Sequence, residues 1–110
     1  MKTFDVMNKV ADSGEYILGA RDTGSHACYL IYGVLRPGEK GRELKPGIGH
    51  EEIVLATSGD LQCSGSFSGL LKQGRAMHLK GDERVIVENN GHADAVYVIC
   101  GGHSEGEHGH

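Results

Sequence analysis

His50 and Glu52 are the two residues of this chain whose types and spacing best suit the binding of a metal ion. On a β-strand, residues two positions apart point to the same face, with Cα atoms about 6.6 Å apart. An imidazole and a carboxylate at this distance can converge on one divalent ion. Glu51 should point to the opposite face. Alternatively, His50 and Glu52 are polar residues at a pocket mouth, hydrogen-bonded to each other.

A second group of candidate metal ligands lies near the C-terminus, where His103, His108 and His110 accompany Glu105 and Glu107. Histidine-rich tracts of this kind are typical of metal-binding tails. Residues 101–110 carry no apolar side chain, so they cannot contribute to a core and we expect them to be disordered. The tail therefore supports one functional hypothesis, that of a metal carrier.

Charge and composition exclude several other classes of function. The net charge is −4 and the lysines and arginines are scattered, which argues against nucleic-acid binding. No apolar run approaches the roughly 18 residues of a membrane span. Acidic residues stand where a secretory signal would have its apolar stretch, so we expect a cytoplasmic protein. The sequence contains no P-loop, no G-x-G-x-x-G and no H-E-x-x-H motif.

The three cysteines, Cys28, Cys63 and Cys100, do not suggest a disulfide framework. Their number is odd and none forms a C-x-x-C pair, which also argues against a thiolate zinc site. Cys28 and Cys100 lie within apolar runs. We therefore expect both to be buried, reduced core residues.

The length and the residue pattern predict one all-β domain. A chain of 110 residues is close to the commonest domain size. The 18 glycines follow no repeat and are typical of turns between short strands. About eight such strands indicate a sandwich or barrel. The predicted strands are Tyr16–Ala20, Ala27–Leu35, Glu52–Thr57, Leu61–Ser64, Phe67–Leu71, Ala76–Leu79, Arg84–Glu88 and Ala95–Cys100.

Three segments resemble the two sequence motifs of the cupins. The strand at 28–36 ends in Pro37 and Gly38, and Glu52 stands seven residues before Gly59, as in the E-x6-G half of the first motif. The segment from Gly74 to Asn89 has the length and both end residues of the second motif. The resemblance covers about residues 27–100. It implies a single jelly-roll barrel over residues 1–102, followed by a tail at 103–110.

The resemblance also implies where metal ligands would lie. In cupins the first motif supplies two histidines and a glutamate, and the second supplies a third histidine. Counting from the Pro-Gly turn places the first two at Leu44 and Pro46, and counting back from Glu52 places them near Pro46 and Ile48, or one residue earlier. The position of the third is Val85. Of the four family ligands, only Glu52 carries over.

Glu83 lies two residues before Val85, so it shares the inward direction that the resemblance implies for that position. A set of His50, Glu52 and Glu83 would combine nitrogen and oxygen ligands and leave open positions. Such a set suits Zn²⁺, Mn²⁺, Fe²⁺ or Ni²⁺, and the ligand types do not choose among these ions.

Two classes of function follow from the resemblance. One is a binding module that holds a small polar molecule or a divalent metal in the barrel pocket. The alternative is a metal-dependent enzyme of the isomerase, dioxygenase or lyase class acting on a small molecule. We also expect a homodimer, because small cupins usually pair through their sheets and the strand at 16–20 would leave an uncovered edge.

Overall fold

The computed structural model describes residues 1–104. A short 3-10 turn at Met7–Lys9 precedes the first strand, and one helical turn, α1, spans Ala20–Thr23. The nine strands are β1 (Glu15–Leu18), β2 (Cys28–Leu35), β3 (Arg42–Leu44), β4 (His50–Ser58), β5 (Leu61–Gly65), β6 (Gly69–Leu71), β7 (Ala76–Lys80), β8 (Val85–Glu88) and β9 (Ala95–His103).

The strands form two antiparallel sheets that face each other as a jelly-roll barrel. The first sheet has five strands in the order β1-β2-β9-β4-β7, and the second has four in the order β3-β8-β5-β6. The sequence-based prediction of an all-β jelly roll is confirmed. Within residues 1–104, no helix has the length and apolar character of a membrane span.

The core lies between the two sheets and is built by alternation along each strand. On β4, Glu52, Val54 and Ala56 point inward, while Ile53 and Leu55 point outward and are exposed. Fully burying an aliphatic side chain contributes about 1.5–3 kcal/mol. The inward-facing apolar residues of both sheets are Leu35, Val54, Ala56, Leu79, Ala95, Tyr97 and Ile99 together with Leu44, Leu61, Cys63, Leu71, Val85 and Val87.

Asn89 fixes the loop that connects the two sheets between β8 and β9. Its side chain is buried, and its Nδ2 donates to the carbonyl oxygens of Leu35 (2.9 Å) and Ala93 (2.8 Å). Its Oδ1 accepts from the backbone N–H of Gly91 at 2.9 Å. This amide therefore satisfies three backbone groups that the loop would otherwise leave without partners.

Apart from shifts of one or two residues at the strand ends, the structure differs from the predicted elements in three places. The short strand β3 was not predicted, because its three residues carry too little apolar pattern. The strand predicted at 67–71 begins at Gly69. The predicted disorder of residues 101–103 is wrong, since β9 continues to His103. Its last residues pair with β2 and β4 on both sides, and this backbone pairing does not require apolar side chains. Residues 105–110 lie outside the described part of the chain.

The expected burial of two cysteines is also wrong. Cys28 and Cys100 are exposed, whereas Cys63 is buried. Cys100 pairs with Leu30 of β2 and with Ile53 of β4, which places all three on the outer face of the five-stranded sheet. An apolar run on a central strand therefore contributes side chains to both faces of the sheet, and not to the core alone.

Candidate functional site at the barrel mouth

The candidate site lies at the end of the barrel where β2 and β4 begin and β9 ends. We define the barrel mouth by the inward-facing residues at this end: Tyr29, His50, Glu52 and His103. A shallow depression of about 260 Å³ opens here, lined by Tyr29, His50 and His103 together with residues of the β1–β2 connection. Tyr29 and the two imidazoles line this depression, and Glu52 is joined to them through the Tyr29 hydroxyl.

Tyr29 and Glu52 meet across an intervening strand. Tyr29 of β2 and Glu52 of β4 are both directly opposite Gly101 of β9, the strand between them. The Tyr29 hydroxyl donates to Oε2 of Glu52 at 2.5 Å. A Cβ on Gly101 would lie 2.2 Å from Cζ of Tyr29, so the phenol ring passes directly over this glycine. We call this arrangement the Tyr29 rung.

Glu52 is a buried carboxylate that has a protein donor on only one of its two oxygens. The residue is 5% exposed. Every buried side-chain nitrogen or oxygen in residues 1–104 has a hydrogen-bond partner. Because Tyr29 binds Oε2 and no donor in this part of the chain binds Oε1, Oε1 keeps contact with solvent. Burial, and secondly the Glu52 carboxylate, raise the pKa of Tyr29 far above its usual value, so the phenol stays a donor.

The imidazoles of His50 and His103 lie close to Tyr29 and Glu52. His50 is directly opposite His103, with ring centroids 5.2 Å apart, and its ring meets the Tyr29 ring edge-on at 6.1 Å. Nε2 of His103 lies 3.1 Å from the carbonyl oxygen of His26. His103, which the sequence pattern assigned to the tail, is therefore part of the mouth.

The same pattern recurs deeper in the same sheet, where Tyr97 of β9 and Glu15 of β1 both lie opposite Gly33 of β2. The Tyr97 hydroxyl donates to the Glu15 carboxylate. Here a cation is added, since Nη1 of Arg42 donates to the Tyr97 oxygen at 3.2 Å and to the carbonyl of Val34 at 2.8 Å. We call this arrangement the Tyr97 rung.

The residues present do not fit the metal site of the cupins. Leu44 and Val85, at two of the ligand positions that the resemblance implies, are paired with each other and are 3% and 0% exposed. No group of three His, Cys, Asp or Glu side chains in residues 1–104 could hold a metal ion. Apolar side chains supply no electron pair to a cation, so the positions that the resemblance implies do not complete a metal site with Glu52.

Of the three predicted ligands, the structure places His50 and Glu52 at the mouth but does not gather Glu83 with them. Glu83 lies in the β7–β8 turn, where its Oε1 accepts from the backbone N–H of Lys80 at 2.7 Å. Its carboxylate is therefore used to close the turn. Glu51 points to the outer face as predicted and lies 2.8 Å from Nε2 of His78. Hydrogen bonds to its carboxylate, that of His78 first and that of Ser104 second, lower the pKa of Glu51.

Sequence patterns missed Tyr29, Gly101 and His103. Tyr29 looked like one more aromatic strand residue, and Gly101 and His103 looked like the start of a disordered tail. The register of β2, β9 and β4 brings them to Glu52 and His50, and register is a property of strand pairing that a single strand does not show.

No protein-family model matches the sequence, and no curated protein matches it significantly. Solved structures do match. The chain is similar to a Cupin 2 conserved barrel domain protein from Salinispora arenicola, with TM-score 0.76 and 15% identity, covering 94% of this chain and 90% of that one. It is also similar to a protein described as a predicted oxalate decarboxylase from Thermotoga maritima, with TM-score 0.67 and 18% identity, covering 82% and 81%.

A third similar structure is an oxalate oxidase in complex with the substrate analogue glycolate, with TM-score 0.72 and 16% identity. It covers 92% of this chain but 59% of the oxidase, so the oxidase has a substantial part outside the match. These likenesses establish the fold, which is that of a cupin barrel. At this level of identity the likeness does not define the chemistry, which has to be inferred from the residues of the mouth.

Proposed function

We propose that this domain is a binding module that takes a small polar ligand at the barrel mouth. The observation that carries the proposal is Glu52, a buried carboxylate with one oxygen bound by Tyr29 and the other in contact with solvent. Within residues 1–104, no lysine or arginine forms an ion pair with it. A carboxylate held in this way is ready to accept a hydrogen bond from a ligand.

The chemistry of the mouth selects the ligand class. The free oxygen of Glu52 is an acceptor, and the phenol already donates its only hydrogen in a hydrogen bond to the other oxygen. The ligand should therefore carry donors, either hydroxyl groups or an ammonium group. The ammonium group would also compensate the charge of Glu52, so we expect a small amino alcohol to bind better than a neutral polyol.

Oxalate appears in the descriptions of two of the similar structures. We propose that this chain does not bind it. An oxalate dianion at the mouth would meet the Glu52 carboxylate, and the positions that would bring a compensating metal ion hold Leu44 and Val85. Like charges at close range and low dielectric repel strongly.

An amide-resolved NMR titration tests the proposal. Ethanolamine, glycerol and oxalate are titrated separately into the full chain. We expect ethanolamine to shift the signals of Gly101 and His50 saturably, glycerol to shift them more weakly, and oxalate to leave them unchanged. Glu52→Gln should remove the ethanolamine shifts and Glu51→Gln, one residue away on the outer face, should keep them. Saturable binding of oxalate, or no response to any of the three, would overturn the proposal.

The predicted metal ligands His50, Glu52 and Glu83 remain a separate prediction, as does the metal-dependent enzyme. Elemental analysis of protein purified without added metal tests them. A stoichiometric metal that His50→Ala and Glu52→Gln each remove, and that Glu51→Gln retains, would support the prediction. A metal lost only on deleting residues 105–110, which leaves His103 of the mouth in place, would support the metal carrier instead.

We also propose that two copies pair through the outer face of the five-stranded sheet. Ile53, at 52% exposure, Leu55 and Cys100 form an exposed apolar area on adjacent central strands. Such a face on a central part of a sheet is typical of an interface. Light scattering should give twice the chain mass of 11.8 kDa. Ile53→Glu should yield a monomer, and Ile48→Glu, at an exposed residue off this face, should not.

We propose the cytoplasm as the compartment. All three cysteines are free, including the exposed Cys28 and Cys100, and a reducing compartment suits exposed free thiols. Fractionation of the source cells, followed by counting reactive thiols in the isolated protein, tests this. Recovery outside the cytoplasm would contradict it.

A further inference from the structure

We propose that the Tyr29 hydroxyl takes the place of a metal ion on Glu52, so that the barrel holds this carboxylate inside without any metal. The inference does not depend on which ligand the mouth binds. It concerns how a cupin barrel can keep its inward glutamate after the other ligand positions have become apolar.

A carboxylate that is 5% exposed needs a positive or hydrogen-bonding partner, because burying an uncompensated charge costs several kcal/mol or more. In the cupin motifs this partner is a metal shared with three histidines. Here the partner is the phenol hydrogen of Tyr29, at an oxygen–oxygen distance of 2.5 Å. Hydrogen bonds from a hydroxyl to a charged oxygen are short and strong.

Gly101 makes this contact possible. Its backbone φ is not positive, so the chain conformation at this position does not itself require glycine. A Cβ there would lie 2.2 Å from Cζ and 2.5 Å from the hydroxyl oxygen of Tyr29. The need for glycine at 101 therefore comes from the phenol, which has to cross β9 to reach Glu52.

The remaining positions agree with this assignment. Leu44 and Val85 are buried against each other on the facing sheet, and the Glu83 carboxylate is committed to the backbone of Lys80. The Tyr97 rung repeats the arrangement with Glu15 and Gly33. This second case uses none of the predicted metal ligands, so the fold uses a phenol for an inward carboxylate independently of metal.

A double-mutant cycle in the full chain tests the structural part. We expect Gly101→Ala to lower the melting temperature by about 10 °C, and by less than about 3 °C when Tyr29 is already alanine, because the clash is then gone. Gly102→Ala is the matched control, since its Cβ would meet only the carbonyl of Ala27, at 3.2 Å. Its effect should be equal in both backgrounds. Equal effects of Gly101→Ala in both backgrounds would overturn the proposal.

A metal titration of the full chain tests the chemical part. We expect dialysis against EDTA to leave the melting temperature unchanged, and Glu52→Gln to leave the stoichiometry of bound Zn²⁺, Mn²⁺ and Ni²⁺ unchanged, whatever the tail binds. Loss of one equivalent of metal in Glu52→Gln, with full binding retained in Glu51→Gln, would overturn the proposal. This outcome differs from failure of the ligand proposal, which is measured without any metal.

Discussion

The Tyr97 rung and the Tyr29 rung have the same backbone geometry but different surroundings. In both, a tyrosine crosses a glycine on the neighbouring strand to donate to a glutamate on the next one. Tyr97 is fully buried, and the Arg42 guanidinium binds its oxygen. Tyr29 is half-buried at the mouth, beside His50.

The two rungs differ in how the charge of their glutamate is compensated. Arg42 also binds the backbone of Val34 and the carboxylate of Glu39, so the cation beside the Tyr97 rung is itself held in place by the protein. Glu52 has a donor but no cation within the described chain, and its second oxygen meets solvent. Each glutamate keeps one oxygen without a donor in residues 1–104, so the Tyr29 rung is distinguished by the lack of a cation beside it.

Gly33→Ala should have the largest effect. A Cβ at 33 would lie 2.1 Å from Cζ of Tyr97, whose ring is fully buried and has nowhere to move. We expect failure to fold, or a melting temperature lowered by more than about 15 °C, followed by circular dichroism. Gly19→Ala is the control, because its Cβ would make an ordinary contact of 3.7 Å. A well-folded, fully stable Gly33→Ala would mean that the Tyr97 ring does not lie over this strand.

Arg42→Met should have the second-largest effect on stability. It removes the cation of the Tyr97 rung and leaves the carbonyl of Val34 without its side-chain donor. We expect a loss of about 2–3 kcal/mol in the free energy of unfolding, measured by urea denaturation. Adding Glu15→Gln should recover part of this loss, because the neutral amide no longer needs the cation. If the two losses simply add, Arg42 does not compensate the charge of Glu15.

Alkaline pH should weaken both rungs. Burial raises the pKa of Tyr29 and of Tyr97 well above the unfolded value of about 10, with the neighbouring glutamates adding to it. A raised pKa stabilises the fold below pH 10, and this contribution is lost as the pH rises further, by up to about 1.4 kcal/mol per unit and group. Urea denaturation at pH 8 to 11 should show a shallower decline in Tyr29→Phe and Tyr97→Phe. An unchanged slope in both variants would contradict the two hydrogen bonds.

Glu51→Gln should have the smallest effect. The contact with His78 on the outer face lowers the pKa of this exposed carboxyl. A lowered pKa stabilises the fold above the unfolded value of about 4.3, and the contribution is lost as the pH falls through the folded value. Melting curves at pH 7 should shift by at most about 2 °C, and the shift should shrink as the pH falls below the unfolded value. A larger shift than in Glu52→Gln would reverse our assignment of the inner and outer faces of β4.

The sequence allowed the fold to be predicted well and the site only in part. Turn residues and apolar alternation are local, so the strands around Val54, Val87 and Val96 could be located directly. His50 and Glu52 were placed on one face for the same reason. Tyr29, Gly101 and His103 belong to other strands, and their relation to Glu52 arises only when β9 pairs between β2 and β4. Glu83 was predicted to be a ligand only because it lies two residues before Val85, but its carboxylate accepts a hydrogen bond that closes the β7–β8 turn.

The phenol crossing the glycine implies a rule about substitutions that no single position reveals. Position 101 can accept a side chain only if position 29 gives up its tyrosine, and the same holds for positions 33 and 97. In homologues of this chain, residues 29 and 101 should therefore change together or not at all, and so should residues 33 and 97. A histidine at 44 or 85 should appear preferentially in homologues that lack Tyr29, because a phenol and a metal ion would compete for the same carboxylate.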